Sequence, residues 1–387
     1  MNLRKIFFSL LRAELNGETV SAELLSDMTD ADYARLYKLS KAQDLAHLIG
    51  DGLLRSGISL PEDMSQAFSK QHLFSVYRCE RIRDVYDRVC ALFEDAGIDF
   101  MPLKGAVIRP YYPEPWMRTS CDIDILIHEA DIDRATKLIL SNFSVKNEGE
   151  RNYHDVSFFL NKNVNLELHF NILENLAPMD AVLSRVWEYS TLREGTSHCY
   201  LQSNEFLMFH VVAHNAYHFI RGGCGVRPFM DWWILKRAIA FDEKVFAALL
   251  KEAKLSDFAM AMDALADVWF SDTPYTEFVR VMDTYVLGAG AYGTEKNATI
   301  VAREKSGSKV KYFFTRIFPP FHKLTVIYPS LRRFPFLYPF YIVARWFRTL
   351  FIGRGRRAMV ELRVAATPED ERSRRITKMF RDLKLIQ

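Results

Sequence analysis

The stretch that decides the fold lies at residues 101–127 and reads MPLKGAVIRPYYPEPWMRTSCDIDILI. Asp122 and Asp124 are separated by one apolar residue and are followed by an apolar run at residues 125–127. Because side chains alternate between the faces of a β-strand, this pattern predicts a strand with both carboxylates on one face, about 7 Å apart. Two carboxylates at that spacing can share divalent metal ions.

A second acidic strand is predicted further along the chain. Metal-dependent transfer of a phosphoryl or nucleotidyl group needs more than two acids, because paired cations about 3.5–4 Å apart are held by several oxygens. The best candidate is Glu167, in the alternating segment VNLELHF at residues 164–170. The apolar residues of this segment face one way, whereas Glu167 and His169 face the other. For His169, metal ligation, acid–base chemistry and hydrogen-bonding support all stay open.

The segment before the acidic pair predicts a strand, a tight turn and the start of a helix at residues 98–108. Lys104 and Gly105 occupy the turn. Gly105 would let the backbone approach an anion closely, amides at a helix start point toward it, and Lys104 adds a point charge. Arg118 could add a planar, two-pronged phosphate contact. These three residues are therefore candidates for binding the phosphates of a nucleotide.

A set of short motifs resembles a family of uncharacterised bacterial nucleotidyltransferases in the DNA polymerase beta-like superfamily: Leu103-Lys104-Gly105, Tyr112-Pro113, Arg118, Asp122-Ile123-Asp124 and Glu167-Leu168-His169. The resemblance is strongest over residues 98–235 and weakens toward residue 350. It implies an α+β fold, in which a small mixed β-sheet carries the acids on adjoining strands between large N- and C-terminal helical regions. Lys104-Gly105 stands where the wider superfamily has a Gly-Ser pair, so the nucleotide-binding mode stays open.

The resemblance implies a metal-dependent enzyme that moves a nucleoside monophosphate from a nucleoside triphosphate (NTP) to an acceptor hydroxyl or phosphate. We expect Asp122, Asp124 and Glu167 to hold two Mg²⁺ or Mn²⁺ ions, and Lys104 and its neighbours to orient the NTP. Glu167 is the expected general base, and activation of the acceptor by the metal alone is the alternative. The alternative is a nucleotide-sensing or partner-binding module of a toxin–antitoxin or defence system. The sequence identifies neither the acceptor nor the preferred nucleotide.

Histidines outside these motifs invite further hypotheses. Three of them recur at every fourth position of a predicted helix, at His210, His214 and His218. Positions i and i+8 lie about 12 Å apart along a helix, so the three cannot bind one ion. The resemblance suggests that this helix packs near the active site with Arg227 and Asp231, and that His214, Arg227 and Asp231 either position substrate or hold the helical lobe. His154 matches a family position and is either a phosphate contact or a solvated loop histidine.

Length and composition indicate several regions around a sizeable core. The chain has 387 residues, 49% of them hydrophobic, which suits two or three domains. We predict a helical N-terminal lobe at residues 1–97, a catalytic core at 98–200, a helical domain packed on the core at 201–310, and a Pro-, aromatic- and Arg-rich helical region at 311–387. Gly97 fits a helix C-cap, and residues 161–163 fit a hairpin turn.

The net charge of +3 gives no argument for nucleic acid as an obligatory partner, although none is excluded. Five scattered cysteines suit a reducing compartment, so a cytoplasmic protein is expected. The short apolar run near the N-terminus is interrupted by Arg12 and Glu14, which favours an amphipathic helix over a signal peptide.

The C-terminal region is both basic and aromatic. Phenylalanines and prolines at residues 313–340 precede five arginines, Arg345, Arg348, Arg354, Arg356 and Arg357. This region could attach peripherally to an anionic membrane or to RNA, or it could be a Pro-broken helical layer packed over the catalytic lobe. The apolar run at residues 336–351 is interrupted by arginines and is too short to predict a membrane span.

Overall fold

The computed structural model describes residues 3–160, 164–271, 273–307, 309–321, 324–325, 328–351 and 370–386. The predicted turn at 161–163 and the arginines Arg354, Arg356 and Arg357 lie outside these residues, as does the side chain of Arg348. Helices surround a five-stranded mixed sheet, which confirms the predicted α+β class. The chain divides into two compact units, one comprising Met1–Asn215 and Val226–Tyr275, the other Ala216–Gly225 and Thr276–Gln387. The four predicted regions stay a prediction.

Five helices precede the sheet: α1 (Leu3–Asn16), α2 (Ala22–Leu25), α3 (Asp30–Ala42), α4 (Ala46–Arg55) and α5 (Glu62–Ala96). The opening helix is amphipathic, as predicted, and buries its apolar stripe around Phe7 and Leu10. Thr29 and Asp32 cap the start of α3 by exchanging hydrogen bonds between side chains and backbone amides. Gly97 ends α5 with φ of +62°, the left-handed conformation that the predicted C-cap requires.

The sheet is built from β1 (Phe100–Pro102), β2 (Asp122–Ile127), β3 (Val145–Arg151), β4 (Asp155–Leu160) and β5 (Val164–His169). Its order is β1-β2-β5-β4-β3, with β2 and β5 parallel and the other neighbours antiparallel. Between these strands lie α6 (Gly105–Ile108) and α7 (Ile132–Asn142), and a two-stranded hairpin of β6 (Ser190–Leu192) and β7 (Tyr200–Gln202) follows.

One face of the sheet forms the core of the first unit. Ile123, Ile125 and Ile127 of β2 and the leucines of β5 pack against apolar side chains of α5 and α7. Because neighbouring positions of a strand point to opposite faces, this packing turns Asp122, Asp124 and Glu167 to the other face of the sheet. The core therefore fixes the orientation of the acidic side chains.

The remaining helices of the first unit are α8 (Ala177–Leu183), α9 (Asn204–Ile220), α10 (Arg227–Ala238), α11 (Glu243–Glu252) and α12 (Ser256–Phe270), and the last residues of α9 belong to the second unit. The second unit continues with α13 (Glu277–Ala289), α14 (Glu295–Lys305), α15 (Lys309–Ile317), α16 (Tyr338–Phe351) and α17 (Glu371–Asp382). The rings of Phe219, Tyr285 and Phe380 contact one another inside it in tilted and edge-on arrangements.

Candidate active site

The parallel pairing of β2 with β5 brings the predicted acidic residues together. Asp124 and Glu167 are direct partners in the register of the two strands. His169 follows Glu167 by two residues and therefore points to the same face. One ligand atom from each of Asp124, Glu167 and His169 lies within 4.8 Å of the others. Among the residues that the structure describes, this is the one group of His, Cys, Asp and Glu close enough to hold a metal ion.

Asp124 is the most enclosed carboxylate of the group. Lys104 Nζ donates to its Oδ1 at 2.8 Å, and His169 Nε2 lies 3.0 Å from the same oxygen. Burial alone would raise the pKa of Asp124, but the Lys104 ammonium and His169 together hold this pKa well below its usual range. Burial would likewise lower the pKa of His169, whereas its hydrogen bonds to Asp124 and Glu167 raise it above the ordinary value.

Asp122 lies two residues before Asp124 on the same strand face, at the more exposed end of β2. Burial and the negative charge of Asp124 raise the pKa of Asp122 above its ordinary value. Its register partner Asn165 donates to Glu167 Oε1 at 2.8 Å, which orients the Glu167 carboxylate. Asp122 is not part of the three-residue group, but it extends the line of carboxylates along the sheet.

The turn before β2 has an unusual backbone. Lys104 adopts φ of +45° and ψ of −111°, which L-residues rarely do. The helix α6 that follows is a single turn at the predicted helix start. A Cβ atom on Gly105 would lie 2.8 Å from Nη1 of Arg118, so a larger residue here would displace the guanidinium group.

Arg118 forms a buried ion pair with a distant part of the chain. Its Nε and Nη2 donate to the two carboxylate oxygens of Asp231, both at 2.9 Å. The hydroxyl of Tyr112 donates to the same carboxylate at 2.7 Å. Trp116, four residues after Tyr112, packs against the ring of His72 on α5 at 4.4 Å between ring centroids. Arg118 thus joins the turn before β2 to α10, and its guanidinium group is already bound to a carboxylate.

His154 lies at the edge of the site. Its ring stacks on that of His169 with centroids 5.4 Å apart, and its Nε2 lies 3.0 Å from Asp155 Oδ1. Burial lowers the pKa of His154 below its ordinary value. The structure therefore places His154 beside the candidate metal ligands.

The histidines of α9 have separate partners. His210 Nδ1 bonds the side-chain amide of Gln202, and His214 Nδ1 lies 2.9 Å from Glu174 Oε1. Burial lowers the pKa of His210 to about 3, and the charges of Lys104 and Asp124 both act on it. The helix thus lies next to the acidic cluster, as the sequence suggests.

Residues that the motifs do not mark also surround the segment before β2. Asp44 Oδ2 accepts from Thr119 Oγ1 at 2.9 Å and lies 3.9 Å from Arg78 Nη1 and 3.7 Å from Arg227 Nη1. Arg227 also donates to the Thr119 carbonyl at 2.9 Å. Asp44 lies in the turn between α3 and α4 and Arg78 lies on α5, and neither belongs to a local motif, so the sequence pattern offers no signal for them.

Comparison with known proteins agrees with this geometry. A family model described as an uncharacterised nucleotidyltransferase matches residues 29–271. This range covers well over half of the chain and includes every residue of the site described above. No curated protein and no solved structure matches the chain.

Proposed function

The chain belongs to the uncharacterised nucleotidyltransferase family, and from this membership we propose that it moves a nucleoside monophosphate from an NTP to an acceptor hydroxyl or phosphate in a divalent-metal-dependent reaction. One observation carries the proposal: the parallel register of β2 and β5 sets Asp124 beside Glu167, with His169 in the same group. A nucleotidyl transfer needs this convergence of carboxylates where the phosphates react.

The donor set fits a hard divalent cation. Carboxylate oxygens are the ligands that Mg²⁺ and Mn²⁺ prefer, and imidazole is a common additional ligand for transition metals. Asp124, Glu167 and His169 would hold one ion, and Asp122 would share a second with Asp124. When bound, the ions would lower the pKa of the acceptor hydroxyl and neutralise charge on the departing pyrophosphate.

Each remaining side chain has a distinct role in this proposal. Glu167 is about a quarter exposed, so it can accept the proton of an acceptor that enters from solvent. Lys104 stabilises the carboxylate form of Asp124 and stands where a triphosphate would contact it. Gly105 keeps the turn open, and Arg118, through Asp231, fixes that turn in position to orient the phosphates. His154 supports the ring of His169.

Label transfer in a cell extract tests the proposal and leaves the acceptor open, because the extract supplies many candidate acceptors at once. The purified protein is incubated with Mg²⁺ or Mn²⁺ and each labelled NTP, and compared with Asp122→Asn and Asp124→Asn. We expect both variants to lose transfer and Asp122→Asn to melt close to the wild-type temperature.

The matched control is Asp99→Asn, because Asp99 also pairs with a histidine, His198, at 2.7 Å, but lies outside the cluster. It should transfer label like the wild type. Transfer that persists in folded Asp122→Asn and Asp124→Asn would contradict the proposal. Nucleotide binding without transfer by the wild type would instead favour the nucleotide-sensing module.

A further inference from the structure

Three arginines lie around the segment that leads into β2 in the first unit, and Arg78 donates to the sulfur of Cys121, next to Asp122, at 3.7 Å. Arg78 of α5 and Arg227 of α10 approach the same oxygen of Asp44, at 3.9 and 3.7 Å. Arg109 donates to Ser120 Oγ at 2.7 Å, in the segment that leads into β2. Arg227 is close enough to Asp122 that its charge opposes the rise in the pKa of Asp122 caused by burial and Asp124. We call Arg78, Arg109 and Arg227 the arginine cluster.

The cluster holds more positive than negative charge. Asp44 contributes one carboxylate, and the same oxygen also accepts from Thr119. The neighbouring Asp231 also acts on Arg109, but both of its oxygens already accept hydrogen bonds from Arg118. Arg78 and Arg227 remain partly exposed, so a solute can reach their guanidinium groups.

We propose that the arginine cluster binds a phosphate group of the substrate next to Asp122. Guanidinium groups bind phosphate oxygens through planar pairs of charge-assisted hydrogen bonds. A phosphate there would neutralise guanidinium groups that share one carboxylate. The identity of the substrate rests on the proposed nucleotidyl transfer, and the phosphate belongs either to the NTP or to a phosphorylated acceptor.

Calorimetry with inorganic pyrophosphate tests this subsite on the full chain. We expect Arg78→Gln and Arg227→Gln to bind pyrophosphate about tenfold more weakly than the wild type, because each loses a charge-assisted contact. The control is Arg83→Gln, since Arg83 is an exposed arginine of the same helix that pairs with Glu80. Equal affinity in all four folded proteins would overturn the proposal, and so would the absence of binding to the wild type.

A non-hydrolysable NTP separates the two sources of the phosphate. Competition between this NTP and pyrophosphate assigns the subsite to the donor, whereas simultaneous binding assigns it to the acceptor, and both results support the subsite. Failure of the proposed function would give a different result. If the protein binds pyrophosphate through these arginines but transfers no label, the phosphate subsite is supported and the nucleotidyltransferase reaction is contradicted.

A separate observation in the second unit carries an independent inference. Phe336 and Phe340 are each 71% exposed, and Val343 continues the same stripe at the spacing of a helix face. The other side of α16 is buried around Ile342 in a small apolar cluster. A helix with apolar residues on both sides is normally buried, yet one side of α16 faces solvent.

A second exposed apolar stripe runs along α15 and the residues after it. Phe314 is 63% exposed, and Ile317, Phe318 and Phe321 follow at the i+3, i+4 and i+7 positions, all exposed. Phe318 contacts Trp346 of α16 with ring centroids 5.8 Å apart, which links the two stripes. We call the exposed phenylalanines of both stripes the aromatic face; they are Phe314, Phe318, Phe321, Phe336 and Phe340.

The segment of sequence that carries the aromatic face has charges of one sign. Residues 305–360 contain twelve Lys and Arg and no Asp or Glu, although the whole chain has a net charge of only +3. Anionic lipid headgroups attract such a segment, and a continuous apolar face fits the boundary between headgroups and acyl chains. RNA binding would instead use aromatic rings as separate stacking platforms. In the described part of the chain, no helix has both the length and the apolar content to cross a bilayer.

We infer that the aromatic face inserts into the surface of an anionic membrane and is anchored there by the surrounding basic residues. The inference does not depend on the nucleotidyltransferase reaction, because the aromatic face lies outside residues 29–271. Of the alternatives that the sequence leaves open for the C-terminal region, the inference favours membrane attachment over a packed helical layer.

Vesicle flotation tests the inference. We expect the full chain to float with vesicles of phosphatidylcholine and phosphatidylglycerol, and to float much less with phosphatidylcholine alone. Phe336→Ser combined with Phe340→Ser should weaken binding about tenfold or more, because buried apolar area drives insertion. The control is Met260→Ser, which changes an apolar side chain that is 65% exposed on α12.

Wild-type protein that does not float with the anionic vesicles would overturn the inference, as would a double variant that floats like the wild type. The inference would also be overturned if the protein did not bind vesicles but used these phenylalanines to bind single-stranded RNA or to form a dimer. The occupant of the aromatic face would then be RNA or a second copy of the chain.

Discussion

At the residue scale, the buried ion pair of Arg118 and Asp231 gives the clearest stability prediction. Arg118→Leu leaves the Asp231 carboxylate buried without its guanidinium partner, and we expect the free energy of unfolding to fall by about 3–5 kcal/mol. Urea denaturation measures the change. The double variant Arg118→Met with Asp231→Leu removes both charges and should cost less, so a double variant that costs more than the single one would contradict this account.

The backbone of Lys104 gives a second prediction. Lys104→Gly and Lys104→Ala both remove the ammonium group from Asp124, but only glycine adopts φ of +45° without strain. We expect the free energy of unfolding of the glycine variant to exceed that of the alanine variant by about 1 kcal/mol. Chemical denaturation of the two proteins side by side measures this difference. Equal stability would mean that the turn relaxes when the lysine is removed.

His47 gives a prediction about pH. Burial lowers its pKa to about 4 from an ordinary 6.5, and its Nε2 donates to the Met117 carbonyl at 3.1 Å. The unfolded chain therefore takes up the proton first as the pH falls, so stability is complete above pH 6.5 and is lost toward pH 4. The loss amounts to about 3 kcal/mol for this group.

Denaturation midpoints measured across this pH range test the His47 prediction. His47→Gln keeps a donor for the Met117 carbonyl but cannot take up the proton. Its stability should therefore fall less steeply than that of the wild type between pH 6.5 and 4. Parallel curves for the two proteins would contradict the prediction.

Local alternation is enough to predict which residues share the acidic face, because the period of a strand is fixed by covalent geometry. It places Glu167 and His169 on one face of their strand, and Asp122 and Asp124 on one face of theirs. In the structure these two strands, β5 and β2, are neighbours, so the two pairs lie on the same face of the sheet. The partner of Arg118 could not be predicted in the same way. Asp231 lies 113 positions later, and only tertiary packing brings the two together.

At the scale of elements, the end of α5 gives a stability prediction that depends on the backbone conformation of one residue, not on side-chain contacts. A Cβ atom on Gly97 would meet nothing closer than 3.6 Å, so the left-handed φ of +62° is the main reason for glycine. We expect Gly97→Ala to destabilise the protein by about 1 kcal/mol, and Gly97→Asn by less, because asparagine tolerates this conformation. Thermal and urea denaturation measure the order, and an alanine variant as stable as the wild type would contradict it.

The strand β3 shows what the sequence could not indicate. Its residues, VKNEGER, are polar and charged, and its pairing with β4 contains register shifts. An edge strand of this composition has no apolar alternation, so pattern reasoning does not find it. The helix α7 and the strand β4, which pairs with β5, each have a clear apolar period, so pattern reasoning can find both.

At the scale of the whole molecule, ligand binding should raise stability. With Mn²⁺ and a non-hydrolysable NTP at about one hundred times their dissociation constants, the free energy of unfolding should rise by about 2.7 kcal/mol. Differential scanning calorimetry should therefore record a higher melting temperature for the wild type and no change for Asp124→Asn, which lacks a candidate metal ligand. A chelator should reverse the effect. An equal rise in the melting temperature of both proteins would indicate that the metal binds at a different site.

The helical N-terminal region and the α+β core could be predicted because each has a strong hydrophobic period. The division of the chain could not be predicted. Ala216–Gly225 and Thr276–Gln387 form one compact unit although a long segment of the other unit separates them in sequence. The sequence left open whether Phe336 and Phe340 are exposed, because an apolar residue in a helix normally indicates burial, whereas a basic aromatic region also suits a surface.

The position of the label on the NTP tests the central claim most directly. The wild-type protein is supplied with Mn²⁺ and an NTP labelled either at the α- or at the γ-phosphorus, and the acceptor fraction is separated from free nucleotide. Nucleotidyl transfer through Asp122, Asp124 and Glu167 predicts that the α-label reaches the acceptor and the γ-label leaves with pyrophosphate. Transfer of the γ-label to the acceptor, or equal α-label transfer by Asp124→Asn, would contradict the account.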